Sequence, residues 1–201
     1  MLATGPRSSV VFASSVAPGD LVALSTLVET WRRDGIDAPL LLTPEEFQRS
    51  LDTFPLEYQQ IIDRHLVIAG TPPLQHATVA SDHLRHACEV QAKGHLIHLR
   101  HGWMTHGAHP DALERLVAQS ASPLRSLLAN VARLHGETIE DADAAARAGA
   151  RLASLPEELV SDILAIDGAP EYAANVVQQL PEYLAASEQL WEFVDRWRER
   201  T

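Results

Sequence analysis

The sequence predicts an α+β protein in which a small α/β segment precedes an antiparallel helical bundle. Short apolar runs rich in β-branched residues alternate with short amphipathic stretches over roughly the first 70 residues, a pattern typical of a small parallel or mixed sheet. Residues 81–106 then form one long helical pattern, and only helical periodicities follow it. The turn-prone Thr71-Pro72-Pro73-Leu74 separates the two patterns. We therefore expect a partial α/β domain over residues 1–74 and a helical bundle domain over residues 75–201.

Composition limits the classes of function. The chain has 201 residues, of which 46% are hydrophobic, and 16 basic against 27 acidic residues give a formal charge of -11. Nucleic acid is a poor partner for such a chain, because neutralising phosphates requires a basic face. The sequence shows neither a signal peptide nor an apolar run of about eighteen residues, so no membrane span is expected. The single cysteine, Cys88, cannot form an internal disulfide, which favours the cytoplasm.

Three strands and two helical segments are predicted in the α/β segment. The strands are expected at residues 9–16, 39–42 and 65–70. A helix capped by Asp20 and stopped by Gly35 should bury five apolar residues, Leu21, Leu24, Leu27, Val28 and Trp31. Thr43 and Glu46 form a capping box, which predicts a short helix that runs to about Leu51.

The long pattern over residues 81–106 predicts a helix with two different stripes. Ser81 is the expected N-cap, and the apolar stripe comprises Leu84, Cys88, Ala92, Leu96, Leu99 and Trp103. Arg85, Glu89 and Lys93 stand four residues apart and share one face, and Arg100 lies one heptad beyond Lys93. Two interpretations of this polar stripe stay open: a solvated face of paired charges, or one wall of a cleft.

Four further helical patterns follow. Pro110 should open a helix that stops at Gly136, is kinked at Pro123, and buries Leu113, Leu116, Val117, Leu124, Leu127, Leu128, Val131 and Leu134. Helices are also expected over about residues 141–153, 156–166 and 170–200, and Pro181 should bend or split the last of them.

Three stretches carry a resemblance to a known family. FPLEY at 54–58, HLVIAGTPPL at 65–74 and HLRHACEVQAKGHLIHLRHGW at 83–103 resemble the central region of bacterial nucleotidyltransferase-domain proteins. The resemblance implies a polymerase-β-like nucleotidyltransferase domain followed by a helical domain, similar to aminoglycoside nucleotidyltransferases. It also implies transfer of a nucleoside monophosphate from a nucleoside triphosphate with the help of Mg²⁺, whose clustered carboxylate ligands stabilise the displacement of pyrophosphate.

The chain departs from the family at its first strand. Members place a Gly-Ser turn and two aspartates there, whereas this chain has Gly5-Pro6-Arg7-Ser8-Ser9, and its first acidic residue is Asp20. We therefore expect a truncated or degenerate nucleotidyltransferase-like protein that is inactive in nucleotidyl transfer but retains a substrate or nucleotide cleft. Mg²⁺ with a nucleoside triphosphate is the expected cofactor only if activity is retained.

The resemblance also implies the site residues. Glu57, within FPLEY, is the expected catalytic acid, as a third carboxylate or as a base for the acceptor hydroxyl. The substrate-binding residues are expected to be Arg85, Lys93 and Arg100, which would pair with phosphates, and Glu89, which would orient them. Asp37 is either a remnant metal ligand or a turn residue. The expected partner is a nucleotide or a small-molecule acceptor.

Three alternatives come from other classes of protein. A non-enzymatic interaction module, antitoxin-like or self-associating as a homodimer, would use the apolar surface of Trp191, Phe193, Val194 and Trp197, unless these residues close the core of the bundle. A metal-binding protein would use some of the ten histidines, eight of which fall between His76 and His109, with His95, His98 and His101 at three-residue steps. The spacing of Arg100 and His106 also fits the loose signature of HEPN-class ribonucleases.

Overall fold

The computed structural model describes residues 9–75, 77–166, 168–169 and 171–198. It confirms an α+β chain that is mostly helical, with one two-stranded parallel sheet in the described residues. The chain divides into two compact units between Val79 and Ala80. We call the described residues before this point the α/β unit and those after it the helical unit.

The sheet of the α/β unit has two strands, β1 (Val10–Phe12) and β2 (Leu40–Leu42), paired in parallel with Val10 opposite Leu40. Both strands were predicted, and β1 is shorter than expected. The third predicted strand is wrong, because residues 65–70 form no strand and the side chains of Leu66 and Ile68 are 87% and 88% exposed. A β-branched apolar run becomes a strand only where a neighbour receives its backbone hydrogen bonds and covers one face, so tertiary context overrides local propensity here.

The predicted first helix is split into α1 (Pro18–Ser25) and α2 (Val28–Arg33). Ala17, not Asp20, is the N-cap residue, and the carboxylate of Asp20 accepts a hydrogen bond from the Ala17 amide at 2.8 Å. At the break, the hydroxyls of Ser25 and Thr26 donate to backbone carbonyls three residues earlier, a local bond that competes with helix continuation. The predicted buried face is also wrong, since no residue of α1 or α2 is buried.

The core of the α/β unit is small and aromatic. Thr43 and Glu46 form the predicted capping box at the start of α3 (Pro44–Arg49), which is followed by α4 (Pro55–Asp63). The ring of Phe47 in α3 is fully buried, with its centroid 4.7 Å from that of Tyr58 in α4 and 5.4 Å from that of Phe12 in β1. One phenylalanine therefore joins the sheet to both helices.

Six helices form the helical unit: α5 (Ser81–His106), α6 (Pro110–Leu134), α7 (Ala142–Leu152), α8 (Glu157–Ala165), α9 (Tyr172–Gln178) and α10 (Leu180–Asp195). The long α5 and the start of α6 at Pro110 are confirmed, although the N-cap of α5 is Ala80 and not Ser81. The predicted split near Pro181 is also confirmed, because Gln179 separates the end of α9 from the start of α10. Pro170, the expected start of the last helix, lies outside the described residues. In the described part of the chain, no helix is both long and apolar enough to cross a membrane.

Helix α6 forms the centre of the helical unit, where it contacts α5, α7, α8 and α9, while α10 packs on α5. All eight of its predicted apolar residues are buried. Two glycines allow neighbouring helices to approach it closely. A Cβ at Gly149 of α7 would run into the carbonyl of Leu128, and one at Gly102 of α5 would lie 2.5 Å from the Leu116 side chain. The elements that carry the predicted polar stripe are thus fixed on a closely packed core.

Candidate functional site

Residues of the polar stripe of α5 contact one another and residues of α10. A guanidinium nitrogen of Arg85 lies 2.7 Å from a carboxylate oxygen of Glu89, and one of Arg100 lies 2.7 Å from Glu188 of α10. The ammonium nitrogen of Lys93 lies 3.3 Å from the ring centroid of Trp191, also in α10, which is a cation–π contact. The sequence predicted the stripe, but not the residues of α10 that partner it.

A cleft of about 450 Å³ opens beside the N-terminal turns of α5 and the C-terminal end of α10. Its lining residues are Asp82, Arg85, Glu89, Asp195, Trp197 and Arg198. The structure therefore brings two of the four predicted substrate-binding residues, Arg85 and Glu89, to one cleft. Lys93 and Arg100 are not among the described residues that line it. Asp195, the last residue of α10, and Arg198, which follows that helix, add charge from the other side.

The cleft holds charges of both signs. Among the described residues that line it, three carboxylates and two guanidinium groups give a small negative balance. The Arg85–Glu89 pair is only about a quarter exposed, at 24% and 27%, which weakens solvent screening between the two groups. Arg198 donates hydrogen bonds to the backbone carbonyls of Asp195 and Trp197 at 3.0 and 2.7 Å, and these bonds orient its guanidinium. The N-terminal end of the α5 dipole adds positive potential.

Glu57 and Asp37, the two predicted acidic site residues outside α5, belong to the α/β unit. Glu57 lies in the first turn of α4 with an exposed side chain. Asp37 is exposed in the segment that leads into β2. The catalytic role of Glu57 and the metal-ligand role of Asp37 stay predictions.

The three histidines at three-residue steps, His95, His98 and His101, differ in how far their side chains are buried. His95 is buried and faces α6 and α10, whereas His98 and His101 are exposed. Burial, with a smaller contribution from the charge of His98, lowers the pKa of His95 to about 4. Among the described residues, no three histidine, cysteine, aspartate or glutamate side chains converge as a metal site would require. His76, the first of the eight clustered histidines, lies outside the described residues.

A buried hydrogen-bonded chain links His95 to two residues that the sequence analysis missed. The Nε2 atom of His95 lies 3.0 Å from the hydroxyl oxygen of Tyr183, which lies 2.9 Å from that of Ser120. Ser120 in turn donates to the carbonyl of Val117. Burial raises the pKa of the Tyr183 hydroxyl, so this group stays neutral. The sequence did contain a signal for this chain of hydrogen bonds: Tyr183 lies on the apolar stripe of α10, and a buried tyrosine hydroxyl requires a hydrogen-bonding partner.

Cys88 belongs to the core of the helical unit. Its side chain is fully buried, and burial raises the pKa of the thiol to about 12, against a smaller opposite effect of Arg133. The thiolate is the reactive form, so this environment keeps the thiol inert. The prediction of a small core residue at this position is confirmed.

Fold and site together define a two-unit α+β protein with a charged cleft in its helical unit. No protein-family model, curated protein or solved structure matches the chain. The relation to nucleotidyltransferase-domain proteins therefore stays a prediction based on the sequence resemblance.

Proposed function

We propose that the chain is a nucleotidyltransferase-like protein that binds a nucleotide, or a similar phosphorylated small molecule, in the cleft of its helical unit. The observation that carries the proposal is that Arg85 and Arg198, from different segments, line one cleft with the indole of Trp197. Guanidinium groups suit phosphate oxygens, and an indole offers a face on which a base can stack. A polymerase-β-like α/β domain and an antiparallel bundle are the finer parts of the same proposal.

Nucleotidyl transfer is not part of the proposal. The family's chemistry needs two carboxylates at alternate positions of a strand, whereas β1 reads Val-Val-Phe and β2 reads Leu-Leu-Leu. Neither described strand therefore supplies the expected metal ligands.

The charge of the cleft determines the form of nucleotide that should bind. Because carboxylates outnumber guanidinium groups three to two among the described residues that line the cleft, a bare polyanion is disfavoured. A nucleotide that brings Mg²⁺ is favoured, because Mg²⁺ is usually held by one or two carboxylates together with substrate phosphates. A single carboxylate of the cleft, such as that of Asp82, is enough for this contact, because the described carboxylates do not converge as a metal site on the protein itself would require. In the cleft, the Mg²⁺ ion would neutralise part of the phosphate charge of the nucleotide.

The test is calorimetric titration of the full chain with each nucleoside triphosphate, with and without Mg²⁺. We expect binding that requires Mg²⁺ and weakens at least about tenfold in Arg85→Gln, because a charge-assisted hydrogen bond contributes about 1.5–3 kcal/mol. Arg100→Gln is the matched control, since Arg100 lies on the same helix, pairs with Glu188 and does not line the cleft. Equal affinities of the two variants, or no binding by the unaltered chain, would refute the proposal.

Self-association is a second candidate, favoured by the surface of the α/β unit. Ten large apolar side chains of this unit are at least 37% exposed, and Leu66, Ile68 and Val22 are 87%, 88% and 69% exposed. Where such side chains adjoin one another, they commonly mark interaction surfaces. Sedimentation velocity over a range of concentrations should show a homodimer that Ile68→Ser weakens. A monomer at every concentration would refute this candidate.

A further inference from the structure

A second and larger groove, of about 970 Å³, lies in the helical unit. It is lined by the residues that follow α6, by the C-terminal end of α7 and by the last turns of α10. The lining residues that matter for its chemistry are His135, Glu137, Ser154, Gln189, Phe193 and Trp197. Arg85 and Glu89 line the other cleft and do not line this one.

Three aromatic rings meet in this groove. The ring of His135 stacks on that of Phe193, with centroids 5.1 Å apart and an angle of 14° between the planes. The ring of Trp197 meets His135 edge-on, at 6.2 Å and 76°. Phe193 and Trp197 stand four residues apart at the end of α10, and neither side chain is fully buried. The groove therefore presents aromatic surface to a ligand.

Several helix ends meet at the groove; the C-terminal ends favour positive charge, while the N-terminal end of α5 at Ser81 opposes it. Both α6 and α7 present their C-terminal ends to the groove, and the carbonyls at a helix C-terminus carry partial negative charge. Ser154 ends α7 with a φ of 54°, a left-handed conformation that is uncommon for a residue other than glycine. The amide of Gln189 donates to the carbonyls of Ala153 and Ser154 at 2.7 and 3.0 Å, so this end is held in place.

Two arginines are among the described residues that line the groove. Arg196 forms an ion pair of 2.6 Å with Glu192, and Arg198 donates to backbone carbonyls at the end of α10. The exposed carboxylate of Glu137 lines the groove as well. Among the described residues that line the groove, the carboxylates of Glu137 and Glu192 balance the charges of Arg196 and Arg198, so side-chain charge does not on balance oppose a cation.

Helix α10 already carries an indole that makes a cation–π contact with an ammonium group. The ammonium group of Lys93 lies over the ring of Trp191 at 3.3 Å, six residues before Trp197 along the chain. That pair is intramolecular, whereas the His135, Phe193 and Trp197 rings line an open groove. We propose that this groove binds an organic cation of the alkylammonium class through cation–π contacts with these three rings.

The experiment compares choline with its neutral isostere, 3,3-dimethylbutan-1-ol, on the ¹⁵N-labelled full chain. The readout is the indole N–H signal of Trp197, assigned by its loss in Trp197→Phe among the four tryptophans of the chain. Choline should shift this signal in a saturable way. The isostere should bind about fivefold more weakly, because it has the same shape but lacks the charge that the ring faces attract, an effect of about 1 kcal/mol.

Variants show which rings are responsible. Phe193→Leu should weaken choline binding about threefold or more, while Phe54→Leu, at a half-exposed position of the α/β unit, should leave it unchanged. His135→Phe should retain binding and His135→Ala should lose most of it, and circular dichroism of each variant tests the fold. Equal affinity for choline and its isostere, no saturable shift, or equal effects of the two leucine variants would overturn the proposal. Trp197 and Arg198 line both this groove and the nucleotide cleft, whereas Arg85 lines only the cleft, so the effect of Arg85→Gln on nucleotide binding distinguishes failure of one proposal from failure of the other.

Discussion

The α/β unit and the helical unit differ in how completely they cover their apolar side chains. Helix α6 alone buries eleven residues, whereas α1 and α2 bury none. Among the described residues, ten of the fifteen large apolar side chains that are strongly exposed belong to the α/β unit. Parallel strands are normally covered on both faces, yet Val11 of β1 and Leu40 of β2 are 44% and 47% exposed.

This difference indicates where the free energy of unfolding resides. Burial of apolar area is the main favourable contribution to folding, so side chains of the helical unit should contribute far more than similar ones of the α/β unit. The functional proposals follow the same division. Specific binding is assigned to the well-packed helical unit, and self-association to the exposed apolar surface of the α/β unit.

The largest expected effect is a leucine truncation that compares the two units directly. Leu128 of α6 is fully buried, and Leu128→Ala should lower the free energy of unfolding by about 2–5 kcal/mol through lost burial and a residual cavity. Leu66→Ala, at a side chain that is 87% exposed, should change it by less than about 0.5 kcal/mol. Urea denaturation followed by circular dichroism measures both.

A large cost of Leu66→Ala would break the comparison. It would mean that Leu66 is covered in solution by a second molecule, and the cost should then depend on protein concentration. A small cost of Leu128→Ala would instead contradict the close packing of α6.

The same difference explains which elements could be predicted from the sequence. In α6, residues at helical spacing bury one continuous face, so periodicity alone identifies all eight predicted core positions. Residues 65–70 and the stripe of α1 have equally apolar patterns but are not buried, and local sequence carries no information about whether another element covers a stretch. Short capping motifs such as that of Thr43 and Glu46 can be predicted, because their partners lie within one turn.

Of the candidate site, the sequence could predict the residues of α5 but not those contributed by the end of α10 and the residues after it. The spacing along α5 identifies Arg85 and Glu89 as neighbours, and they do form an ion pair. Glu188, which pairs with Arg100, is 88 residues away in sequence, and Asp195 and Arg198 reach the cleft only through the packing of α10 on α5. Such partners are set by tertiary structure, so no local pattern indicates them.

A pH titration of stability sharpens the comparison through His95. In the unfolded chain this imidazole takes up a proton near its ordinary pKa of 6.5, whereas in the folded chain burial holds the pKa near 4. Between these values the unfolded chain binds more protons, so stability contributed by neutral His95 is complete above pH 6.5 and is lost as the pH falls towards 4. The slope from this one group is about 1.4 kcal/mol per pH unit.

His95→Gln should remove this slope while offering Tyr183 another hydrogen-bonding partner. The difference between the two curves isolates the histidine, because the carboxylates that titrate in the same range are common to both proteins. His65→Gln is the control in the α/β unit, because the side chain of His65 is exposed whereas that of His95 is buried. Parallel stability curves for the unaltered chain and His95→Gln between pH 4 and 6.5 would show that His95 is not buried as the structure places it.

The smallest expected effect concerns ion pairs. Arg100 and Glu188 join α5 to α10 at 2.7 Å, with side chains 48% and 47% exposed. Arg32 and Glu29 form a pair of 3.1 Å within α2, with side chains 74% and 60% exposed. Arg100→Gln should cost about 0.5 kcal/mol of unfolding free energy, and Arg32→Gln should have no measurable effect, since solvent screens exposed pairs.

A double-mutant cycle with Glu188→Gln separates the pair from other effects of losing Arg100. The coupling should decrease with added salt, as it does for any partly exposed pair. A coupling above about 1 kcal/mol would mean that the contact between α5 and α10 depends on charge as well as on apolar burial. Zero coupling would mean that the contact between α5 and α10 is stabilised only by the buried side chains between the two helices. The comparison of the two units predicts that these side chains supply the greater part of the stabilisation.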